Sequence, residues 1–156
     1  MNLLFRKIDP QNDEEAYAFN LLHEYSGRDS SAVYIPDSEE ERRRKASRIL
    51  ESIRGTEQKY LCLAVFNDDE MIASHFLHRM EIDKQPACHI HGLWVHPDYR
   101  KLGIAKKLKD AGEAWAKKMG CSFMDSNVRV ENKKMISLNE KMGYVHARIN
   151  FRKPLG

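Results

Sequence analysis

The sequence predicts a mixed α/β fold, on three observations. In the first half of the chain, β-type runs follow one another through short turns, as hairpins do. In the second half, strand-like and helix-like segments alternate. One stretch, Leu102 to Met119, carries a sustained helical period. Taken in order, Leu3 to Ile8 reads as a short strand stopped by Asp9-Pro10. Asp13 to about Tyr25 has apolar residues at Ala16, Tyr17, Phe19, Leu21 and Leu22, a helical rhythm. Ser38 and Glu41 form a capping box that opens a helix running to about Arg54, its acids placed before its bases as the helix dipole favours. Tyr60 to Phe66 and Met71 to Met80 flank the turn Asn67-Asp68-Asp69-Glu70 and predict a hairpin. Ala87 to Val95 is a further strand, halted by His96-Pro97. In Leu102 to Met119, Ile104, Leu108, Ala111, Trp115 and Ala116 fall on one face and lysines on the other, with Gly120 as the terminator. Cys121 to Val128 is expected as a strand, Asn132 to Met142 as a helix ended by Gly143, and Tyr144 to Arg152 as a last strand.

The 156 residues suit one domain, with 42% apolar residues to fill its core. Twenty-six bases against 23 acids leave a formal charge of +3, too even a balance to predict a nucleic-acid partner. No apolar run approaches the ~20 residues a membrane helix requires. The N-terminus lacks a charged segment ahead of its apolar residues, so no signal peptide is expected. Cys62, Cys88 and Cys121 are odd in number and widely spaced, unlike a disulfide framework or a zinc ribbon. A cytoplasmic chain without membrane or nucleic-acid partners is the expectation.

The chemistry concentrates at Arg100-Lys101-Leu102-Gly103-Ile104-Ala105, between a strand end and a helix start. Free backbone N–H groups and the positive end of the helix dipole make such a junction an anion site. Gly103 admits a phosphate close to the backbone, and Arg100 and Lys101 add charge. A diphosphate fits, although neither a P-loop nor a dinucleotide fingerprint is present. Read alone, these residues also allow a plainer account, in which Gly103 eases packing and Arg100 is a solvated charge.

The segment from Leu93-Trp94-Val95-His96-Pro97-Asp98-Tyr99-Arg100 to Lys101-Leu102-Gly103-Ile104-Ala105 resembles the acetyl-CoA-binding motif of the GNAT superfamily of N-acetyltransferases. Glu131-Asn132, followed by Asn139-Glu140-Lys141-Met142-Gly143-Tyr144, is similar to the second motif of that family. The resemblance spans roughly Ile90 to Tyr144. It implies a mostly antiparallel central sheet flanked by helices, with acetyl-CoA as cosubstrate and a small-molecule or peptide amine as acceptor. The N–H groups of Lys101, Leu102, Gly103, Ile104, Ala105 and Lys106 would hold the pyrophosphate. The edge of Leu93, Trp94 and Val95 would pair with the pantetheine arm, with Leu93 or Val95 polarising the thioester carbonyl. Asn132 would contact the cofactor. A β-bulge in that strand would open the sheet.

Where the family often places a carboxylate base, this chain has His91, whose imidazole would take a proton from the amine near neutral pH. A histidine bonded to backbone is the alternative. His89 shares its strand face, but no third ligand accompanies the pair, so no metal is expected. The family's Tyr acid is replaced by Asn139, which cannot donate a proton to the leaving thiolate. Trp115 to Cys121, Asp125-Ser126-Asn127 and Arg148 to Lys153 resemble the aminoglycoside 6′-N-acetyltransferase branch. The carboxylates that branch carries are here His91 and Asn127, a poor match for a polycation. The alternatives are therefore an enzyme of that branch or an acyl-CoA-binding protein with little transferase activity. A homodimer through the C-terminal strands is implied by the same resemblance.

Overall fold

A computed structural model describes residues 1–55 and 58–156. Strand β1 (Leu3–Lys7) leads through the Asn12 cap into helix α1 (Asp13–Ser30), and helix α2 (Glu39–Arg54) follows. Strands β2 (Tyr60–Asn67), β3 (Glu70–Ile82) and β4 (Gln85–Val95) come next, then a 3-10 turn at Pro97–Tyr99. Helix α3 (Ile104–Lys118), strand β5 (Phe123–Ser126) and helix α4 (Lys133–Lys141) complete the regular elements. The sheet order is β1-β2-β3-β4-β5, with the first four strands antiparallel and β5 parallel to β4.

The sheet separates two apolar layers. On one face, Phe19 of α1 and Ile49 of α2 pack on Cys62, Ala64 and Phe66 of β2. On the other, Ile104 and Leu108 of α3 cover Val65, Ile72, Ala73 and Val95, and Ala116 covers Leu61, Leu77 and Cys88. Burial along β2 and the first half of β3 is nearly continuous rather than alternating, because helices cover both faces of the sheet.

Two expectations are corrected. Helix α1 does not stop near Tyr25 but runs to Ser30. Its last turns lack an apolar period and are instead anchored by polar contacts to β4: Ser26 Oγ donates to Leu93 C=O (3.3 Å), and Trp94 Nε1 donates to Asp29 (2.8 Å). The strand expected from Tyr144 to Arg152 does not form, and residues 145–156 carry no regular secondary structure and are exposed. Val145, Ala147, Ile149 and Phe151 keep the alternation of a strand, but a strand exists only through hydrogen bonds to a neighbour, and none lies beside this segment among the described residues.

One irregularity positions the site. Phe76 pairs with Gly92 and Leu77 with Ile90, so β4 carries one extra residue, His91, against β3. Such a bulge turns two successive residues to one face. A Cβ on Gly92 would meet His23 Nδ1 at 2.6 Å and Cε1 at 3.0 Å, so the bulge closes under α1 only because this residue has no side chain. Gly92→Ala is expected to destabilise the fold by about 1–3 kcal/mol, the usual cost of overpacking; chemical denaturation checks it, and an unchanged midpoint would contradict the close contact.

Candidate active site

Beyond Ile90 the β4 strand loses its second neighbour, because pairing with β5 ends at Ile90 and Ser126. His96 N–H donates to Ile72 C=O at 2.8 Å. Since hydrogen-bonded pairs alternate along an antiparallel ladder, Trp94 faces β3 with its polar backbone, while Leu93 and Val95 turn theirs to the open edge. Side chains already reach their carbonyls from that side: Ser26 to Leu93, and Arg100 Nε to Val95 at 2.9 Å. His75 Nδ1–H donates to Gly92 C=O (3.1 Å) and holds the bulge from β3.

At the end of this edge lies the start of α3. Helices α1, α2 and α4 are each capped by a side chain, from Asn12, Ser38 and Asn132. Helix α3 has Gly103 at that position and no side-chain cap. Lys101 (φ 64°) and Gly103 (φ 76°) are both left-handed, a backbone that leaves successive N–H groups exposed as an anion-binding concavity. No acid lies in the first turn of α3. Leu102 is exposed, Ile104 is buried in the core and Ala105 half-buried. The Lys106 ammonium is paired with Asp110 at 2.7 Å.

Arg100 does not stand free at this rim. Its guanidinium bonds Val95 C=O and lies 3.3 Å from Asp29, so it ties β4 to the end of α1. Trp94 is buried and bonded to the same Asp29. Asn132 uses its side-chain oxygen to cap α4, accepting from Met135 N–H at 3.3 Å. Asn139 is buried at the β5 end of the gap; its amide lies 3.4 Å from Ser126 Oγ, and its Oδ1 has no partner among the described residues.

On the α1 side of the sheet the bulge presents His91 to a file of rings. Tyr60 stacks on His78 (centroids 4.3 Å apart), His78 on His91 (5.4 Å), and Phe76 tilts against His91 (5.1 Å). Desolvation among these rings, then the imidazoles of His89, His78 and His23, push His91 down to about 4. It is neutral at physiological pH and a weaker base than its position led one to expect. His89 lies beside it, edge-on at 5.0 Å, with Nδ1 2.7 Å from Asp125 Oδ2. Sequence reading placed His89 on the same strand face as His91 and did not foresee its pairing with Asp125. The contact rests on the parallel register that sets His89 opposite Asp125, and no local signal carries that register. Among the described residues no three His, Cys, Asp or Glu side chains are placed to hold a metal ion.

Residues 19–144 match the model of the Acetyltransferase (GNAT) family. The chain is 33% identical over 73 residues to the aminoglycoside N(6′)-acetyltransferase type 1 of Acinetobacter genomosp. 13, covering 46% of this chain and 50% of that protein. The Acinetobacter baumannii protein of the same name is 29% identical over the same length and shares. The chain thus aligns with about half the length of these curated relatives. Among solved structures it resembles AAC(6′)-Iy in complex with a bisubstrate analog, with a TM-score of 0.76 at 18% identity over 99% of both chains. It also resembles glucosamine-6-phosphate N-acetyltransferase from Arabidopsis thaliana, with a TM-score of 0.70 at 19% identity over 100% of both chains. At these identities the structural likeness establishes the fold.

The bulge support has a pH signature. Burial pushes His75 down to about 4, whereas an unfolded imidazole takes up a proton near ~6.5. Between these values the unfolded state binds the extra proton, so stability falls as the pH falls through that window and is fully present above it. His75 alone is expected to contribute a loss of about 3 kcal/mol between pH 7 and pH 4. Urea unfolding of the wild type and His75→Gln across this range checks it: the variant should show the flatter dependence, and parallel curves would contradict the assignment.

Proposed function

The chain belongs to the acetyltransferase (GNAT) family, and we propose that it is one acetyltransferase domain that moves an acetyl group from acetyl-CoA to a primary amine of a small molecule or peptide. The observation that carries this reading is the uncapped, left-handed entry to α3 lying at the end of an unpaired β4 edge. The N–H groups from Lys101 to Lys106 would hold the pyrophosphate, taking the place of the side-chain cap this helix lacks. The open edge at Leu93 and Val95 would pair with the pantetheine arm as an added strand. Acetyl-CoA supplies an activated acyl group as a thioester. An N–H of Leu93 or Val95 would stabilise the negative charge that develops on its carbonyl oxygen.

The amine, mostly protonated at neutral pH, must lose a proton before or as it attacks. His91, neutral and set on the bulge, would accept a hydrogen bond from it and aim it at the carbonyl. Asn139 would hydrogen-bond the pantetheine or the leaving sulfur, and solvent would protonate the thiolate. Arg100 would act from behind the site, by fixing the end of β4 to α1.

A second reading, transfer to the 6′-amine of an aminoglycoside, is favoured by the names of the curated relatives. The charge around the bulge favours the broader class. Asp125 is taken up by His89, Asp29 by Trp94, Arg28 and Arg100, and Glu24 by Arg42, so little negative charge is left for a polycation.

We further propose a cytoplasmic homodimer. The free thiols of Cys62, Cys88 and Cys121 suit a reducing compartment, and no helix among the described residues is long and apolar enough to cross a membrane. Val145, Ile149 and Phe151 are each more than three-quarters exposed on an alternating segment, which a second copy would cover.

Thiol release from acetyl-CoA, measured across monoamines, peptides and aminoglycosides, tests the activity. Release with at least one monoamine is expected. Tight binding of CoA without release for any acceptor would leave only a binding protein. Gly103→Val should raise the KM for acetyl-CoA at least tenfold with the fold intact, since a β-branched residue resists φ near +76°. Light scattering should find a dimer that becomes a monomer when residues 145–156 are removed, and a monomeric full chain would overturn that part.

A further inference from the structure

We propose that His89, oriented by Asp125, is the group that takes the proton from the acceptor amine. The inference rests on the transferase reading above and assigns its proton acceptor. Parallel pairing of β4 with β5 sets His89 directly across from Asp125, and their side chains meet at 2.7 Å with only 18% and 19% of each exposed. An ionised carboxylate offers acceptors alone, so the imidazole must present Nδ1–H to it. That leaves the lone pair on Nε2, pointing away from Asp125. A ring fixed in this tautomer, with a negative partner behind it, is the arrangement that lets a histidine accept a proton and hold it.

The neighbouring imidazoles lack this support. His91, His78 and His23 crowd one another and Phe76, and none of the three has a carboxylate within hydrogen-bond distance among the described residues. The groups that face His89 are His91 on its own strand, His78 on β3, with Lys59 acting on His78 from the start of β2, and Asp125 on β5. Asp125 is the single acid in that set. His89 and His91 stand two residues apart and share a strand face, their rings meet edge-on at 5.0 Å, and pairing with β5 ends one residue after His89.

The step balances without any further reactant. The amine gives its first proton to solvent, and its neutral nitrogen then forms a bond to the acetyl carbon and loses a second proton as the C–S bond breaks. That second proton passes through one water beside His91 to His89 Nε2, and the thiolate is protonated by solvent. His89 is then a catalytic base and Asp125 a positioning residue.

The test is the pH dependence of kcat/KM for wild type, His89→Gln, Asp125→Asn and His91→Gln, with the fastest amine of the panel. His89→Gln should lower kcat about 100-fold, leave the KM for acetyl-CoA within about twofold and abolish the acidic limb. His91→Gln should keep that limb. Asp125→Asn, nearly isosteric, should lower kcat about tenfold. In nitrogen-15 spectra it should convert His89 from the Nδ1–H tautomer to a mixture. An acidic limb that survives in His89→Gln or vanishes in His91→Gln overturns the assignment, as does a wild-type His89 protonated on Nε2. A wild type that releases thiol with no amine overturns the transferase reading and the base role together. Release left unchanged by His89→Gln overturns the base role alone.

Discussion

The extra residue in β4 is the constraint on which the rest of the site depends. A strand with a neighbour on each side has no free backbone, and it cannot add a ligand or point two successive side chains the same way. One residue of surplus against β3 changes both. His91 and Gly92 turn together toward α1, and the strand beyond Ile90 leaves β5 behind. The surrounding residues hold this geometry: His75 donates to Gly92 C=O from β3, and Gly92 itself leaves room for the His23 ring. A bulge is a local loss of ladder hydrogen bonds, so these contacts replace part of what was given up.

Polar anchoring ties the strand beyond the bulge to the helices. Asp29, near the end of α1, accepts from Trp94 and lies against Arg28 and Arg100, which joins α1 to the C-terminal end of β4. Earlier in α1, Glu24 accepts from Arg42, Tyr34 and the Asp37 N–H, which fixes the connection to α2. Desolvation opposes the charge on Glu24, and these donors more than offset it, holding the carboxyl below its ordinary range. Isolated surface ion pairs contribute little to stability. A mostly buried carboxylate with several donors is different, because removing one partner strands the charge. The α1–α2 side of the sheet is therefore built as a braced structure.

Charge is sorted along the molecule. The entry to α3 offers N–H groups, a helix dipole and no acid, and is suited to a phosphate. The ring file around His91 is uncharged at neutral pH, and the acids nearby are each committed to a partner. A net charge of +3 says nothing of this. What matters is that the one helix start without a side-chain cap among the four α-helices also lacks an acid in its first turn.

The order of the elements from Leu3 to Lys141, the cap at Ser38 and the glycine at the entry to α3 were legible in the sequence. Each rests on residues close together in the chain: a period of 3.6 or 2, a capping side chain, a glycine at a helix start. The length of α1 was not, because its last turns are held by Trp94 and Leu93, more than sixty residues away. The strand expected after Tyr144 had the right alternation, but alternation describes one face of a ladder and cannot supply the other strand. Arg100 looked like a free cation until Asp29 and Val95 were brought to it. His89 and Asp125 are 36 residues apart, and only the parallel register of β4 and β5 places them in contact. Local chemistry thus determined which residues could bind and react, and tertiary pairing decided which of them face one another, because a register is a relation between strands that no single strand encodes.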